Sequence, residues 1–273
     1  MGTSASSSGP GGGVPLVPPW VPEPGTDGGP AEGAPIPDAS KPVVTPQLAP
    51  PARFRDARRQ LGQFSRNGDG IKLRNGLGEY VRRGLGGSNG ATRRMGGALA
   101  RSGALHGVLQ SLAAGTLQPS ELGFDAAHLA SRPVREIIDR IARLVSPADG
   151  TQDAESSQKA VNTALSDLLD NESEADVTAL TPTQIDWVLE RHIVCEIHQR
   201  VQLDVGKSIL DHAPSPSAAA DRINEMRGYI QETVAAAFRE QKRTAGVPDR
   251  AGTARLMAEV VRRTFSVFEE FLQ

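Results

Sequence analysis

The chain is almost devoid of cysteine. Cys195 is the only one in 273 residues, which excludes an internal disulfide and fits a reducing compartment. It also lacks a charge excess: the formal net charge of −2 gives no global argument for nucleic acid or membrane. No apolar run approaches the roughly 18 residues of a membrane span. The amino end has no basic region, and prolines interrupt its apolar stretch, so it does not read as a secretory signal. These absences predict a cytoplasmic protein with no membrane segment.

Proline is present but unevenly spread, with 13 of 20 in residues 1–51. That segment carries a single aromatic, Trp20, too little apolar surface to offset the entropy of ordering it. It is expected to be a disordered tail ahead of a folded body at 52–273. The first twenty residues, MGTSASSSGPGGGVPLVPPW, nevertheless have an organisation. Removal of Met1 would expose the amine of Gly2. A small, polar spacer follows, running from Thr3 through Ser4, Ser6, Gly9 and Pro10 to Gly13. Behind it lies an apolar anchor, Val14-Pro15-Leu16-Val17-Pro18-Pro19-Trp20. A flexible arm ending in an unhindered amine suits an object that another protein holds or modifies; the alternative is a leader without a role. Met1-Gly2 with Ser6 also fits an acylation pattern, but the Ala/Gly/Arg/Pro bias resembles a GC-rich bacterial coding sequence, where the eukaryotic transferase is absent.

From Pro51 onward the apolar period is near 3.6 and the expected fold is all-α. Phe54, Leu61 and Phe64 mark a first helix, broken at Asn67-Gly68-Asp69-Gly70. Ile71, Leu73, Leu77, Tyr80 and Val81 mark a second, ended by Gly84-Leu85-Gly86-Gly87. A Gly/Ala-rich helical stretch covers 91–115. Ser131 is a candidate cap, with Pro133 in the first turn, for a helix carrying Val134, Ile137, Ile138, Ile141, Leu144 and Val145. An acidic loop at 148–157 precedes a helix at about 156–170. Thr181-Pro182 opens a long stripe from Ile185 to Ile209, stopped by Pro214 and Pro216. Helices at about 217–242 and 250–272 follow, with Phe265, Phe268 and Phe271 expected to dock on the body. The expected organisation is a tail (1–51), a basic Gly/Arg-rich helical lobe (52–147) and a C-terminal helical lobe (148–273). No internal repeat is evident.

Candidate chemical constellations are weak. Gly206-Lys207-Ser208 resembles the end of a phosphate loop, but Val201 stands where the first glycine is required, and no strand precedes it. His192, Cys195 and His198 share one face of a helix, with Glu196 or His212 as a further ligand, yet no CxxC or HExxH supports a metal. Asp204, Ser208 and His212 would span about 12 Å along one helix, too far for a catalytic relay. No active site, metal or cofactor is predicted. By contrast, residues 53–101 hold twelve Arg or Lys against Asp56, Asp69 and Glu79, a local balance of +9. The arginines pair as Arg58 with Arg59, Arg82 with Arg83, and Arg93 with Arg94. Such a stripe suits an acidic protein partner. A merely solvated surface is one alternative, and nucleic acid the less favoured one, because the aromatics of a single-strand platform are not interleaved there.

Two stretches carry a family resemblance: MGTSASSSGPGGGVPLVPPW, and RFRDARRQLGQFSRNGDGIKLRNGLGEYVRRGLGGSNGATRRMG at 53–96. Both resemble the QatB family of the bacterial Qat anti-phage defence system. The likeness is weaker beyond residue 100. It implies a non-enzymatic member of a four-gene system that also contains an ATPase (QatA), an enzyme resembling QueC (QatC) and a nuclease resembling TatD (QatD). It further implies that the chain binds the QueC-like member and is its substrate, with a 7-deazaguanine carboxylate joined to the amine of Gly2. An α-amino group titrates near 8, so part of it is neutral and nucleophilic at cellular pH, unlike a lysine.

Overall fold

The computed structural model describes residues 15–17, 48–123, 132–147, 150–244 and 250–272. Ten α-helices account for most of them, and no strand longer than an isolated bridge occurs among the described residues. The all-α expectation therefore holds. The chain divides into two compact units, each built from separated segments: residues 1–96, 202–224 and 262–273 in the first, 97–201 and 225–261 in the second. The boundary expected near 148 lies inside the second unit.

In the first unit, α1 (Arg55–Asn67) buries Ala57, Leu61 and Phe64, a spacing that keeps one stripe inward. Gly68 stops it in the left-handed conformation (φ 71°), its N–H bonding to the Phe64 carbonyl at 2.8 Å. The Asp69 carboxylate then caps α2 (Gly70–Glu79) by accepting the Ile71 N–H at 2.8 Å. Ile71 itself, expected inward, is 59 % exposed because it sits in that first turn. The helix continues as a wider π turn, Tyr80–Leu85, and ends at Gly86 (φ 82°) within the glycine cluster that was expected to end it. The extra residue of the wider turn brings Gly84 against the Phe54 ring, where an added Cβ would stand 2.5 Å from a ring carbon.

α3 (Gly87–Arg94) and α4 (Gly96–Ala113) divide the Gly/Ala-rich stretch at Met95. Phe54 stacks on Tyr80 at 5.6 Å between centroids, and the Arg53 guanidinium covers the same ring at 4.6 Å. α8 (Lys207–His212) lies against α1, fastened by the Ser65 hydroxyl donating to the Ile209 carbonyl at 2.6 Å. Phe265 and Phe268 are buried as expected, whereas Phe271 is 45 % exposed beneath the Arg74 guanidinium.

In the second unit, α5 (Val134–Val145) buries Ile137, Ile138, Ile141 and Val145, but Val134, the first residue of the helix, and Leu144, at the edge of the stripe, remain exposed. Pro133 occupies the cap position instead of the first turn, and Ser131 lies outside the described residues. α6 (Gln152–Asn171) begins earlier than the expected 156 because Thr151 caps it, accepting the Ala154 N–H at 3.2 Å. Asp153 and Glu155 fall in its first turn, where the helix dipole favours acids, so residues read as loop are helical. α7 (Pro182–Val205) covers most of the long stripe but breaks at Gly206 before α8. α9 (Pro216–Thr244) and α10 (Arg250–Glu270) complete the chain, and α7, α9 and α10 each contribute residues to both units. No helix among the described residues is long and apolar enough to cross a membrane.

Candidate functional site

The amino-terminal arm is described at one place, and there it is fastened to the body. Pro15 forms an antiparallel bridge with Leu48. Leu16, next to it, is 3 % exposed, and its carbonyl accepts a hydrogen bond from the Arg94 guanidinium. Ala49, beside the bridge, is also buried, while Val17 is half-buried. Part of the apolar anchor thus seats on the chain's own first unit. Gly2, Thr3, Ser4, Ser6, Gly9, Pro10, Val14, Pro18 and Trp20 lie outside the described residues.

The arginine pairs have diverse surroundings. Arg58 is half-buried, donating to the Asp204 carbonyl at 2.8 Å and lying over the Phe54 ring. Arg59 and Arg83 both reach the Asp56 carboxylate, and Arg83 also bonds Glu79 at 3.1 Å. Arg93 and Arg94 are half-buried. Arg82 is exposed and forms no ion pair among the described residues. Much of the basic character is therefore used to hold the first unit together, and of the three pairs Arg59, Arg82 and Arg83 are the exposed members.

On α7 the three residues considered for a metal face different partners. His192 is wholly buried, its Nδ1 3.1 Å from the Ser102 hydroxyl and its Nε2 3.4 Å from the Glu196 carboxylate. Glu196 also accepts from the Ser157 hydroxyl at 2.6 Å, and Ser157 in turn accepts from Arg101 at 3.1 Å. Burial acts to raise the Glu196 carboxyl, but the bond and charge of His192, the Ser157 bond and the Arg101 charge outweigh it, so it is held below its ordinary 4.5. Ser102, His192 and Glu196 stand in the order of a hydrolytic triad, yet Ser102 is fully buried and also bonds the Ala98 carbonyl. No substrate reaches such a hydroxyl, so the cluster is an interior polar network. Sequence reasoning did not assemble it; the His192–Glu196 spacing of one helical turn was the available signal, and Ser102 gave none.

Cys195 is buried, 3.9 Å from the Arg227 guanidinium, which itself pairs with Asp167 at 2.9 Å. Burial pushes the thiol above its ordinary value, with Arg227 and Arg191 pulling partly back. Among the described residues no group of His, Cys, Asp and Glu is arranged to hold a metal.

Asp204, Ser208 and His212 also part company. Asp204 accepts the Tyr80 hydroxyl at 2.8 Å, Ser208 donates to the Arg58 carbonyl at 2.7 Å, and His212 Nδ1 donates to the Ser208 carbonyl at 2.8 Å. Asp204 and Ser208 each fasten one element to another, and His212 bonds within its own helix. Lys207 makes only a loose pair with Asp211 at 3.9 Å, and helix instead of strand precedes it.

No curated protein and no solved structure matches the chain. The family model described as "Qat anti-phage system associated protein QatB" matches residues 86–268, more than half of the sequence, and the chain belongs to the QatB family.

Proposed function

We propose that this chain is a non-enzymatic, cytoplasmic component of phage defence that docks a QueC-like partner and presents its Gly2 amine for acylation. Membership in the family associates the chain with the Qat anti-phage system. The observation that carries the finer reading is how the body's reactive side chains are engaged. His106, His192, Cys195 and His212 are each bound by neighbours of their own fold. In this reading the group that undergoes covalent chemistry is the Gly2 amine, and these four described side chains keep structural roles.

In the proposed step, the partner first activates a 7-deazaguanine carboxylate as an acyl adenylate, releasing pyrophosphate. The neutral Gly2 amine attacks the acyl carbon. A C–N bond forms as the bond to AMP breaks, and the ammonium proton passes to solvent or a partner base. Gly2 has no side chain to obstruct entry to a deep pocket, and the outward arginines around Arg82 suit an acidic face on the partner. The ATPase QatA and the nuclease QatD are further partners in this reading.

The test is intact-mass measurement with amino-terminal fragmentation, on protein made with and without the QueC-like partner. An adduct on Gly2 that requires the partner is expected, and Gly2→Val is expected to abolish it while the body stays folded. An unmodified Gly2 in the presence of demonstrably active partner would overturn the proposal.

A further inference from the structure

We infer that Pro15–Val17 is an intramolecular clip, with Arg94 as its positioning residue, that sets how far the amino-terminal amine can reach. The inference rests on the reading of Gly2 as the delivered group, and it changes what the apolar anchor does. Leu16 is 3 % exposed on the isolated chain, with its carbonyl held by Arg94. A partner groove gripping Leu16 would first have to strip it from this seat. The Pro15–Leu48 bridge adds a second attachment and brings together the two ends of the stretch between them. Arg94 closes α3, and its charge strengthens the bond to the Leu16 carbonyl beyond that of a neutral donor.

The consequence is one of tether length. From Gly2 to Val14 there are 13 residues, so the amine lies within about 45 Å of Pro15 whatever the arm's conformation. Without the clip the next buried residue among the described ones is Ala49, and Gly2–Ala49 spans 48 residues. For linkers of Gly/Ser/Pro composition, effective concentration falls as about the −3/2 power of length, so releasing the clip dilutes the amine at a docked site about sevenfold. The clip also makes the length of residues 18–47 irrelevant to delivery.

The experiment uses the full chain carrying Pro15→Cys with Leu48→Cys. Directly opposed positions of an antiparallel bridge lie at separations a disulfide accepts, and native Cys195 is buried. The pair is expected to oxidise readily, and Leu16→Asp or Arg94→Ala in the same background is expected to slow it at least ~10-fold, with Arg94→Lys restoring part of the rate. At sub-saturating partner, Leu16→Asp alone should lower the rate of Gly2 modification about sevenfold with unchanged affinity of the body for the partner. Oxidation of the cysteine pair should then restore the rate, because the disulfide replaces the clip. Deleting residues 24–41 should leave the rate unchanged. Oxidation as slow in the parent pair as in Leu16→Asp, or a rate that follows the length of 18–47, would overturn the clip. Ready oxidation with a Gly2 that is never modified would instead overturn the delivery role while leaving the clip in place.

Discussion

The Tyr80 hydroxyl donates to the Asp204 carboxylate at 2.8 Å, joining residues 124 positions apart and tying the π turn to the end of α7. A hydrogen bond to a charged acceptor stabilises by about 1.5–3 kcal/mol when buried, and a half-buried Asp204 places this one near the lower end. Tyr80→Phe keeps the stack on Phe54 and removes only the hydroxyl. It is expected to lower stability by about 1.5 kcal/mol in urea unfolding, with an unchanged m-value. An unshifted midpoint would mean that water serves Asp204 equally well.

Two glycine-to-alanine changes should have opposite signs. At Gly84 the new methyl meets the Phe54 ring at 2.5 Å, and overpacking of this kind costs about 1–3 kcal/mol. At Gly228, inside α9, nothing lies within 4 Å, and alanine should add about 0.5–1 kcal/mol through helix propensity. Thermal unfolding of the pair checks both, and a destabilised Gly228→Ala would contradict the open surroundings of that position.

The Glu196 carboxyl is depressed in the folded protein, since His192, Ser157 and Arg101 together overcome the opposing effect of burial. A depressed carboxyl contributes stability that is fully present above its unfolded value of 4.5 and lost as pH falls through the lower folded value. Glu196→Gln should therefore be clearly less stable than the parent at about pH 7, with the gap narrowing as pH falls below 4.5. A gap independent of pH would show that the carboxylate's charge contributes nothing.

The Cys195 thiol combines burial with a raised pKa, both of which suppress thiolate chemistry. Native protein should react with a disulfide reagent at pH ~8 at least about 100-fold more slowly than denatured protein, at a rate set by opening of the second unit. Rapid native labelling would place the thiol in an accessible site.

The helices were legible because their stripes and stops are local. Gly68, Gly86 and Pro216 each end or open a helix where the sequence alone places the break. Thr151 was missed as a cap because the acidic residues after it read as loop, although acids in a first turn favour the helix. The interior network around His192 was illegible for a different reason: Ser102 and His192 lie 90 residues apart, and no periodicity couples them. The clip at Leu16 was hidden likewise, since an apolar anchor looks the same whether it serves a partner or its own body. Family likeness was read from 1–20 and 53–96, whereas the family model matches 86–268, mostly where the likeness looked weaker.

The segmented make-up of the first unit governs the order of its assembly. Gly78 packs against Phe268 and Leu272, and the Ser88 N–H donates to Glu269, so α2 and α3 receive contacts from residues made about 180 positions later. During synthesis these two helices stand without those contacts until α10 has emerged, and the first unit reaches its final packing only then.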